Sequence, residues 1–529
     1  MSSLPRTDPS FSFSSPRPKV RLVNAFARPF ENVVATARTC YSAKGIVTED
    51  QASARPERRD ALARSIYGAG HHTTFQHAHF QFAMENVSRQ FLWSFLHSHP
   101  FYNSEQVSQR YVEVKAGQYA VPPMLPAERE IFESAARRQQ AAYERLTELL
   151  TPTVAERYFG IFPGRTRGDG RARFAGAVQK RAQEIARYVL PVATFAYLYH
   201  TVSGITLFRY WRLCESSDAP TEQREVVGQM VEEVLRHDPL YRSVLQDPIP
   251  LEETPEYALF AAQREAGRAG SGRAFREEFD RELQGRVSRL VDWKANNEEI
   301  LASAVREVLG FPRAALSDAE AIALALDPAK NPLLGETLTL TTHGKLSRAL
   351  FHPSYTFRKK LSHTADSQDQ RHRMTPASRP ALPAYLTDEP DYIVPMLVPD
   401  VPEAADLYRR TMEETWEAIA HLRSRVPDEY AAYLLPNAVA IRFTESADLL
   451  NLHHKFAMRL CYNAQEEIWR ASLDEALQIR EINPQIGPWL LPPCTLRHHA
   501  GVRPVCPEGD RFCGVTVWKQ TADTYQRAL

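Results

Sequence analysis

The sequence predicts an α+β protein built from two similar halves, each with helices packed on a small mixed or antiparallel sheet, so that one chain forms a pseudo-dimer. Three observations support this prediction. The chain has 529 residues, which is long for one domain. Short segments with a period of two residues alternate with longer amphipathic runs. The order of these features begins again after about residue 296.

Composition is that of an ordinary globular protein, with 43% hydrophobic and 24% charged residues. Lys+Arg and Asp+Glu are equal at 64 each, which argues against a general binder of nucleic acid or membrane surfaces. No apolar run is long enough to cross a membrane. Residues 1–18 are rich in Ser and Pro, lack the apolar core of a secretory signal and are predicted to be a disordered tail. Six cysteines without such a signal favour a reducing, cytoplasmic location.

Residues 19–245 are predicted to form the first domain. It begins with a strand at Val20–Phe26, and the alternation of polar and apolar residues predicts another at His79–Phe82. Helical spacing of apolar residues predicts the remaining elements. These are helices at Glu31–Ser42, Arg58–Tyr67, Val87–Leu96, Glu128–Leu150, Val178–His200 with a break at Pro191, Thr206–Glu215 and Thr221–Leu235.

Residues 246–295 are predicted to be a helical linker. Apolar side chains recur there at three- and four-residue spacing from Phe275 to Leu290, which indicates an amphipathic helix. Residues 267–272 are predicted to be a flexible break.

Residues 296–485 are predicted to form the second domain, because features of the first recur there in the same order. The correspondences are Gly335–Thr341 with the strand at His79, Ser347-Arg348 with Ser88-Arg89, Ser367–Arg371 with Gln106–Arg110, Leu434–Asn437 with Val189–Pro191, and Arg459–Cys461 with Arg212–Cys214. Two unrelated α+β domains are the alternative, which the shared order disfavours.

The densest group of polar side chains lies in Gly70–Val114. A histidine-rich turn precedes the strand at His79, and an apolar helix leads into a polar cluster that ends Ser108-Gln109-Arg110-Tyr111. Buried donors and acceptors need partners, so water or a ligand must satisfy this cluster. Arg110 can form two parallel hydrogen bonds with a phosphate or carboxylate, and Ser108 can donate to the same group. A solvated loop is the alternative.

This stretch resembles the signature region of the flavin-dependent thymidylate synthases. In that family a Gly-His-x-(Ser/Thr)-x-x-x-His turn precedes Arg-His-Arg, seven further residues, Ser, and then x-Arg-Tyr. Gly70–His77 matches the turn and Ser108–Tyr111 matches the end. The Arg-His-Arg is missing. Ser98-His99-Pro100 stands in its place, or His97-Ser98-His99 if one residue is inserted near Glu105.

The second half is similar to the family's closing motif, which has a His, an Arg five residues on, and a run ending Ala-Gln-x-Glu-Ile. The matching stretch is Asn451–Ile468, with the Arg at Arg459. Arg459, Asn463 and Glu466 share one helical stripe. An exposed face with an intrahelical Arg–Glu pair is the alternative.

Sites in the resembled family lie between the subunits of a homotetramer. The resemblance implies one complete nucleotide site between the two halves of this chain, with the substrate residues Gln106, Ser108, Arg110, Arg187 and Arg459. Ser108 and Arg110 are also the implied catalytic residues. The opposite site would be degraded, with Asp369, Arg371 and Tyr433 facing Arg212.

The implied reaction is the methylation of deoxyuridylate (dUMP) to thymidylate (dTMP), with methylenetetrahydrofolate as the carbon source, NADPH as the reductant and flavin adenine dinucleotide (FAD) as the cofactor. A homo-oligomer of two chains would form a pseudo-tetramer. The alternative function is a non-catalytic relative that binds a nucleotide, or acts as a structural subunit, after losing the flavin.

His71, Thr73 and His99 match positions that face the flavin in the family. The close spacing of His71, His72, His77 and His79 also raises the question of a metal, but core or flavin-facing histidines are the favoured interpretation.

Residues 486–529 carry a separate signal. Cys494, His498, Cys506 and Cys513 supply the three thiolates and one imidazole of a tetrahedral structural zinc site. Their spacing is looser than that of paired C-x2-C knuckles, and free thiols or a disulfide are the alternatives.

Overall fold

The structure, a computed structural model, describes residues 13–97, 99–216, 218–265 and 271–529. Most of the predicted tail, Ser98 and most of the predicted break at 267–272 lie outside the described residues. Phe13 is buried against the core, and the Ser14 amide donates to the Val121 carbonyl at 3.0 Å, so contacts with the core begin before residue 18.

The first half, repeat 1, contains a four-stranded antiparallel sheet with strand order β1-β2-β4-β3. Its strands are β1 (Lys19–Ala25), β2 (His79–Ser88), β3 (Asn103–Gln106) and β4 (Phe195–Ser203). Its helices are α1 (Pro29–Thr39), α2 (Glu49–Ser53), α3 (Pro56–Gly68), α4 (Arg89–His97), α5 (Pro126–Ile161), α6 (Gly170–Arg173), α7 (Ala175–Ala186), α8 (Gly204–Arg212) and α9 (Pro220–His237).

The second half, repeat 2, contains a sheet with the corresponding order β5-β6-β8-β7. Two helices, α10 (Pro255–Glu265) and α11 (Ser271–Leu283), precede it. Its strands are β5 (Ser288–Trp293), β6 (Ser354–Ser362), β7 (Ala377–Ser378) and β8 (Ala440–Asp448). The later helices are α12 (Asn297–Leu309), α13 (Asp318–Leu326), α14 (His363–Asp369), α15 (Leu382–Tyr385), α16 (Pro402–Arg423), α17 (Asp428–Ala432), α18 (Leu449–Arg459), α19 (Glu466–Ile482) and α20 (Pro493–His499).

Each repeat turns from strand to helix at a capping residue. Ser203, Ser362 and Asp448 end strands and accept a hydrogen bond from a backbone amide in the first turn of α8, α14 and α18. Ser88 Oγ does the same at the start of α4, accepting from the Phe91 amide at 2.9 Å. Because a cap satisfies an amide that the helix leaves unpaired, these residues determine where α14 and α18 begin.

The two repeats join through their backbones at Pro191 and Pro436, around a pseudo-twofold axis. The amides of Val192 and Asn437 donate to the carbonyls of Leu435 and Leu190, both at 2.8 Å. A core of side chains from both repeats surrounds this junction, and each repeat has a further core of its own. The predicted pseudo-dimer is therefore confirmed.

The same symmetry appears in buried side chains. Ser88 and Tyr433 both donate to Glu222, with oxygen–oxygen distances of 2.5 and 2.6 Å. Ser362 and Tyr188 both donate to Glu467, at 2.7 and 2.8 Å. Each glutamate therefore accepts from its own repeat and from the other, which makes Tyr188 and Tyr433 counterparts.

Three element predictions were wrong. Residues 187–200 do not continue the predicted helix, because Pro191 lies at the junction and β4 follows with a period of two. The helix predicted at Phe275–Leu290 ends at Leu283, and β5 follows. Gly335–Thr341 contains short 3-10 turns rather than a strand, and the counterpart of β2 is β6.

The predicted match of Ser367–Arg371 with Gln106–Arg110 was also wrong. Ser367 and Asp369 lie on α14, which follows β6 as α4 follows β2. Asp369 is buried beside Lys359 and Lys455, with its carboxylate 2.7 Å from Lys455 Nζ.

We expect replacement of the two interface glutamates to weaken the pH dependence of stability. Burial raises the pKa of Glu222 and of Glu467 from 4.5 to about 7. Between these values the folded chain holds more protons than the unfolded chain, so these groups make stability fall as pH rises. In Glu222→Gln/Glu467→Gln this part of the decrease disappears, as measured by denaturant unfolding at pH 4.5–7.5. The exposed Glu232→Gln is the control, and an unchanged slope in the double variant contradicts the prediction.

Candidate functional site

A cavity with a volume of about 640 Å³ lies between the repeats and is called the interface cavity. Repeat 1 supplies the segment Gln106–Tyr111 that follows β3, and repeat 2 supplies residues of α14 and α18. Residues of α20 and the segment after it close another side. Its volume is within the range of small-molecule sites.

All five predicted substrate residues line this cavity: Gln106, Ser108, Arg110, Arg187 and Arg459. Arg110 Nε donates to Glu184 at 2.7 Å, and Arg110 Nη2 donates to the Asn463 carbonyl at 2.7 Å. Arg110 therefore links the segment Gln106–Tyr111 of repeat 1 to the segment of repeat 2 between α18 and α19, just after Arg459.

The cavity carries an excess of positive charge. Seven arginines line it, namely Arg89, Arg110, Arg187, Arg371, Arg459, Arg497 and Arg511, against three glutamates, Glu105, Glu336 and Glu508. Arg459 donates to His372 at 2.7 Å and to the Gln368 carbonyl at 3.2 Å, and neither group is a carboxylate. Such a set favours an anionic ligand.

Two arginines of the cavity wall, Arg187 and Arg89, are buried and have no ion-pair partner among the described residues. Arg187 is 5% exposed, and within the described ranges its Nε has no hydrogen-bond partner and it forms no ion pair. Arg89 is 9% exposed, and among the described residues it donates to Gln106 and to the Val107 carbonyl, neither of which is charged. Burial, together with Arg187 and Arg371, lowers the pKa of Arg89 to about 9, and burial lowers the pKa of Arg459 to about 10. A buried cation without a counter-charge is costly unless a ligand supplies one.

Sequence reasoning missed Arg89, Arg497 and Arg511 as lining residues. Arg89 directly follows the capping residue Ser88. Its side chain faces the cavity because α4 packs against the segment Gln106–Tyr111, where Arg89 donates to Gln106 and Val107. Arg497 and Arg511 belong to the C-terminal segment, which the resemblance does not cover. Arg497 donates to the Gly335 carbonyl at 2.7 Å and so holds this segment against repeat 2.

The family described as "Thymidylate synthase complementing protein" matches this sequence at residues 21–240 and again at 289–485, which is well over half of the chain. The chain belongs to this family. The two matches coincide with the two repeats, so the predicted internal duplication is confirmed.

Several proteins named flavin-dependent thymidylate synthase are similar to the chain. The Clostridium tetani protein is 30% identical over 224 residues, which are 42% of this chain and 84% of that protein. The Nitratidesulfovibrio vulgaris protein is 28% identical over 236 residues, 43% of this chain and 83% of that protein. The Sulfurisphaera tokodaii protein is 27% identical over 160 residues, 30% of this chain and 62% of that protein.

The position that mirrors the interface cavity has different residues in this family member. Glu105 pairs with Tyr199 in β4, and Ser378 pairs with the equivalent Thr444 in β8. Counting onward from that pair, Ala381 and Pro383 take the places of Ser108 and Arg110. Since Tyr433 is the counterpart of Tyr188, Ala432 takes the place of Arg187.

The mirrored position is also filled. Leu382 is fully buried in the shared core, and its amide donates to Asp218 at 2.6 Å. The predicted opposite set therefore does not form a site. Asp369 is neutralised by lysines, and Tyr433 binds Glu222. Arg371 faces the interface cavity instead.

The predicted flavin-facing residues lie away from the interface cavity. His71 and Thr73 are exposed, and neither belongs to its lining. The His99 ring packs 4.8 Å from the Tyr210 ring, and burial lowers the pKa of His99 to about 4. A flavin cofactor, as implied by the family, needs partners for phosphates and for polar ring edges. A second cavity beside the first is lined by Arg371, Arg373 and Gln370, and Gln370 Oε1 has no hydrogen-bond partner in the described chain. These residues fit a flavin cofactor.

The predicted zinc set is not assembled. Cys494, Cys506 and Cys513 line a small closed cavity together with Cys461, whereas His498 is exposed and does not. All six cysteines are free thiols. Across the described ranges no three Cys, His, Asp or Glu side chains are arranged to hold a metal ion. Zinc binding stays a prediction.

No helix in the described part of the chain is both long and apolar enough to span a membrane.

We expect Arg187→Met to stabilise the ligand-free chain and to abolish its stabilisation by a ligand. Removing a buried charge that forms no ion pair within the described ranges should raise the free energy of unfolding by about 1–2 kcal/mol. Thermal unfolding with and without dUMP measures both effects. The exposed Arg410→Met should change neither, and a destabilised Arg187→Met that still responds to dUMP contradicts the prediction.

Proposed function

We propose that the interface cavity binds dUMP and that the chain is a flavin-dependent thymidylate synthase, which converts dUMP to dTMP. The observation that carries the proposal is the group of buried arginines from both repeats around one cavity, without enough carboxylates to neutralise them. A phosphate monoester brings up to two negative charges and three acceptor oxygens, which suits several guanidinium groups.

The arrangement also suits a nucleotide rather than free phosphate. Asn437 Nδ2 donates to Gln109 Oε1 at 3.1 Å and orients this amide at the cavity wall, where Gln109 Nε2 has no partner in the described chain. His453, 6% exposed, also has an unpartnered Nε2 at the wall. Such groups can pair with the polar edges of a base and the hydroxyls of a sugar.

In the proposed mechanism the protein binds, orients and excludes water. Glu184 holds Arg110 in place for the phosphate, and Ser108, two residues away, accepts from the Arg110 amide at 3.2 Å. The C-terminal segment closes the cavity, which strengthens each charge interaction inside it. The flavin, when bound, carries the hydride that NADPH supplies for the methyl group, whose carbon comes from methylenetetrahydrofolate.

We expect Arg459→Ala to weaken dUMP binding by about 10-fold or more, because it removes one charged partner of the phosphate. Isothermal titration with dUMP measures this change. Arg212→Ala is a matched control, since Arg212 ends α8 as Arg459 ends α18 but lies outside the interface cavity. Equal dUMP affinity in wild type and Arg459→Ala, or equal affinity for dUMP and deoxyuridine, contradicts the proposal.

A single dUMP should bind per chain, because the mirrored position has Ala381, Pro383 and Ala432 and is filled by Leu382. Equilibrium dialysis against labelled dUMP gives the ratio. Two equivalents per chain would show that the mirrored position opens in solution.

Turnover separates the proposed enzyme from the non-catalytic alternative. Formation of dTMP from dUMP, methylenetetrahydrofolate, NADPH and FAD supports the enzyme. Tight dUMP binding without flavin binding or product supports the alternative. The segment before Ser108, which has no Arg-His-Arg, favours this alternative, whereas Arg371-His372-Arg373 in repeat 2 favours the enzyme. The proposed assembly of two chains into a pseudo-tetramer is measured by light scattering.

A further inference from the structure

The C-terminal segment, residues 486–529, lies beyond the two regions that match the family, the second of which ends at residue 485. It nevertheless forms one wall of the interface cavity, to which it contributes Arg497, Glu508 and Arg511. The hydrogen bond from Arg497 to the Gly335 carbonyl attaches this segment to repeat 2. Both repeats therefore share the proposed nucleotide site with a part of the chain that the family model does not match.

Residues 506–513 of this segment form a loop that is held on repeat 2. Cys461, two residues after the end of α18, lines a small closed cavity together with the cysteines at both ends of the loop. Asn463 Nδ2 donates to the Arg511 carbonyl at 2.6 Å. The backbone at Arg511 is thus attached to the part of repeat 2 that follows α18.

Repeat 1 holds the other end of the loop. Gly514, directly after the loop, has a φ of +85°, and a Cβ there would lie 2.7 Å from a carbon of the Phe162 ring and would collide with Ile161. Ile161 ends α5, and Phe162 follows it. Only glycine allows this close approach, so the loop is fixed on repeat 1 as well as on repeat 2.

The Arg511 side chain approaches repeat 1 at the cavity. Its guanidinium lies 5.8 Å from the centre of the Tyr111 ring, and the Arg110 guanidinium lies 5.4 Å from the same centre. Arg110 pairs with Glu184, whereas Arg511 forms no ion pair with a described residue. Two guanidinium groups beside one ring repel each other, in a cavity that already has an excess of positive charge. An anion that binds both would offset this repulsion.

We propose that Arg511 is a substrate-binding residue, which the C-terminal segment adds to the nucleotide site, and that it binds the phosphate of dUMP together with Arg110. This inference deepens the proposed function of the interface cavity and rests on it. The fixed backbone of the loop keeps the guanidinium near the phosphate position before the ligand arrives, which reduces the ordering cost of binding. The Tyr111 ring supports both guanidinium groups.

The test is isothermal titration of dUMP into full-length variants at several salt concentrations. We expect Arg511→Ala to weaken dUMP binding about 5-fold or more, and Arg511→Lys to weaken it less, since the charge is kept. The difference between wild type and Arg511→Ala should shrink between about 0.05 and 0.5 M NaCl, because salt screens the attraction to the phosphate. Arg503→Ala is the matched control, since Arg503 is an exposed arginine of the same segment that lies outside the interface cavity.

A second variant moves the loop and keeps the charge. Gly514→Ala adds a methyl group where Ile161 and Phe162 leave no room, so the loop should shift and dUMP binding should weaken although Arg511 is present. Because both substitutions act through the same guanidinium, the double variant Gly514→Ala/Arg511→Ala should lose less affinity than the product of the two single losses. Losses that multiply would contradict the role of the loop in placing Arg511.

The failure of this inference is distinguishable from that of the proposed function. Wild-type affinity in Arg511→Ala, alongside weakened binding in Arg459→Ala, overturns the inference and leaves the proposed function intact. A loss in Arg511→Ala that is the same at every salt concentration shows a structural role and also overturns it. A wild-type chain that binds no dUMP overturns the proposed function itself. If thermal unfolding shows that Arg511→Ala is misfolded, Arg511→Gln, which keeps the length but not the charge, decides.

Discussion

The backbone pairing between Pro191 and Pro436 is the constraint on which the rest of the structure depends. Four amide–carbonyl hydrogen bonds cross the junction, related by the pseudo-twofold axis, and Tyr188 and Tyr433 cross with them to reach the buried glutamates of the other repeat. Buried amides and carbonyls must be paired, so neither repeat can shift along this junction without leaving several of them unpaired. The relative position of the two repeats, and therefore the width of the interface cavity, follows from this pairing.

Duplication within one chain also permits asymmetry. In a symmetric dimer each substitution appears in both sites, whereas here each repeat can change alone. Repeat 1 keeps Ser108, Arg110 and Arg187, and repeat 2 has Ala381, Pro383 and Ala432 at the mirrored places. Repeat 2 keeps α18, the helix of the family's closing motif, which ends at Arg459. Its buried positions carry the charged cluster of Lys359, Lys455, Glu445 and Asp369, which stabilises one arrangement of α14 and α18.

The arginines of the interface cavity show how function opposes stability. Arg89 and Arg187 are buried, and neither forms an ion pair with a described carboxylate. Hydrophobic residues in their place would raise the stability of the ligand-free chain. A site that must be ready for a phosphate holds its charges in place before the ligand arrives, and so keeps the desolvation cost in the ligand-free state.

The sequence by itself determined the α+β class and the duplication, because strand alternation, helical spacing and the order of these features are local in the chain. Its resemblance to a known family, through short motifs such as Ser108–Tyr111, implied the five residues that line one cavity. The sequence did not reveal Arg89 and Arg497 as lining residues, because their positions at the cavity depend on packing between segments far apart in sequence. It also misassigned Ser367–Arg371 and Gly335–Thr341, since similar letters in similar order do not identify which strand pairs with which. Hydrogen bonding of β6 and of β7 to β8 decided these two assignments, and this pairing exists only once the sheet has formed.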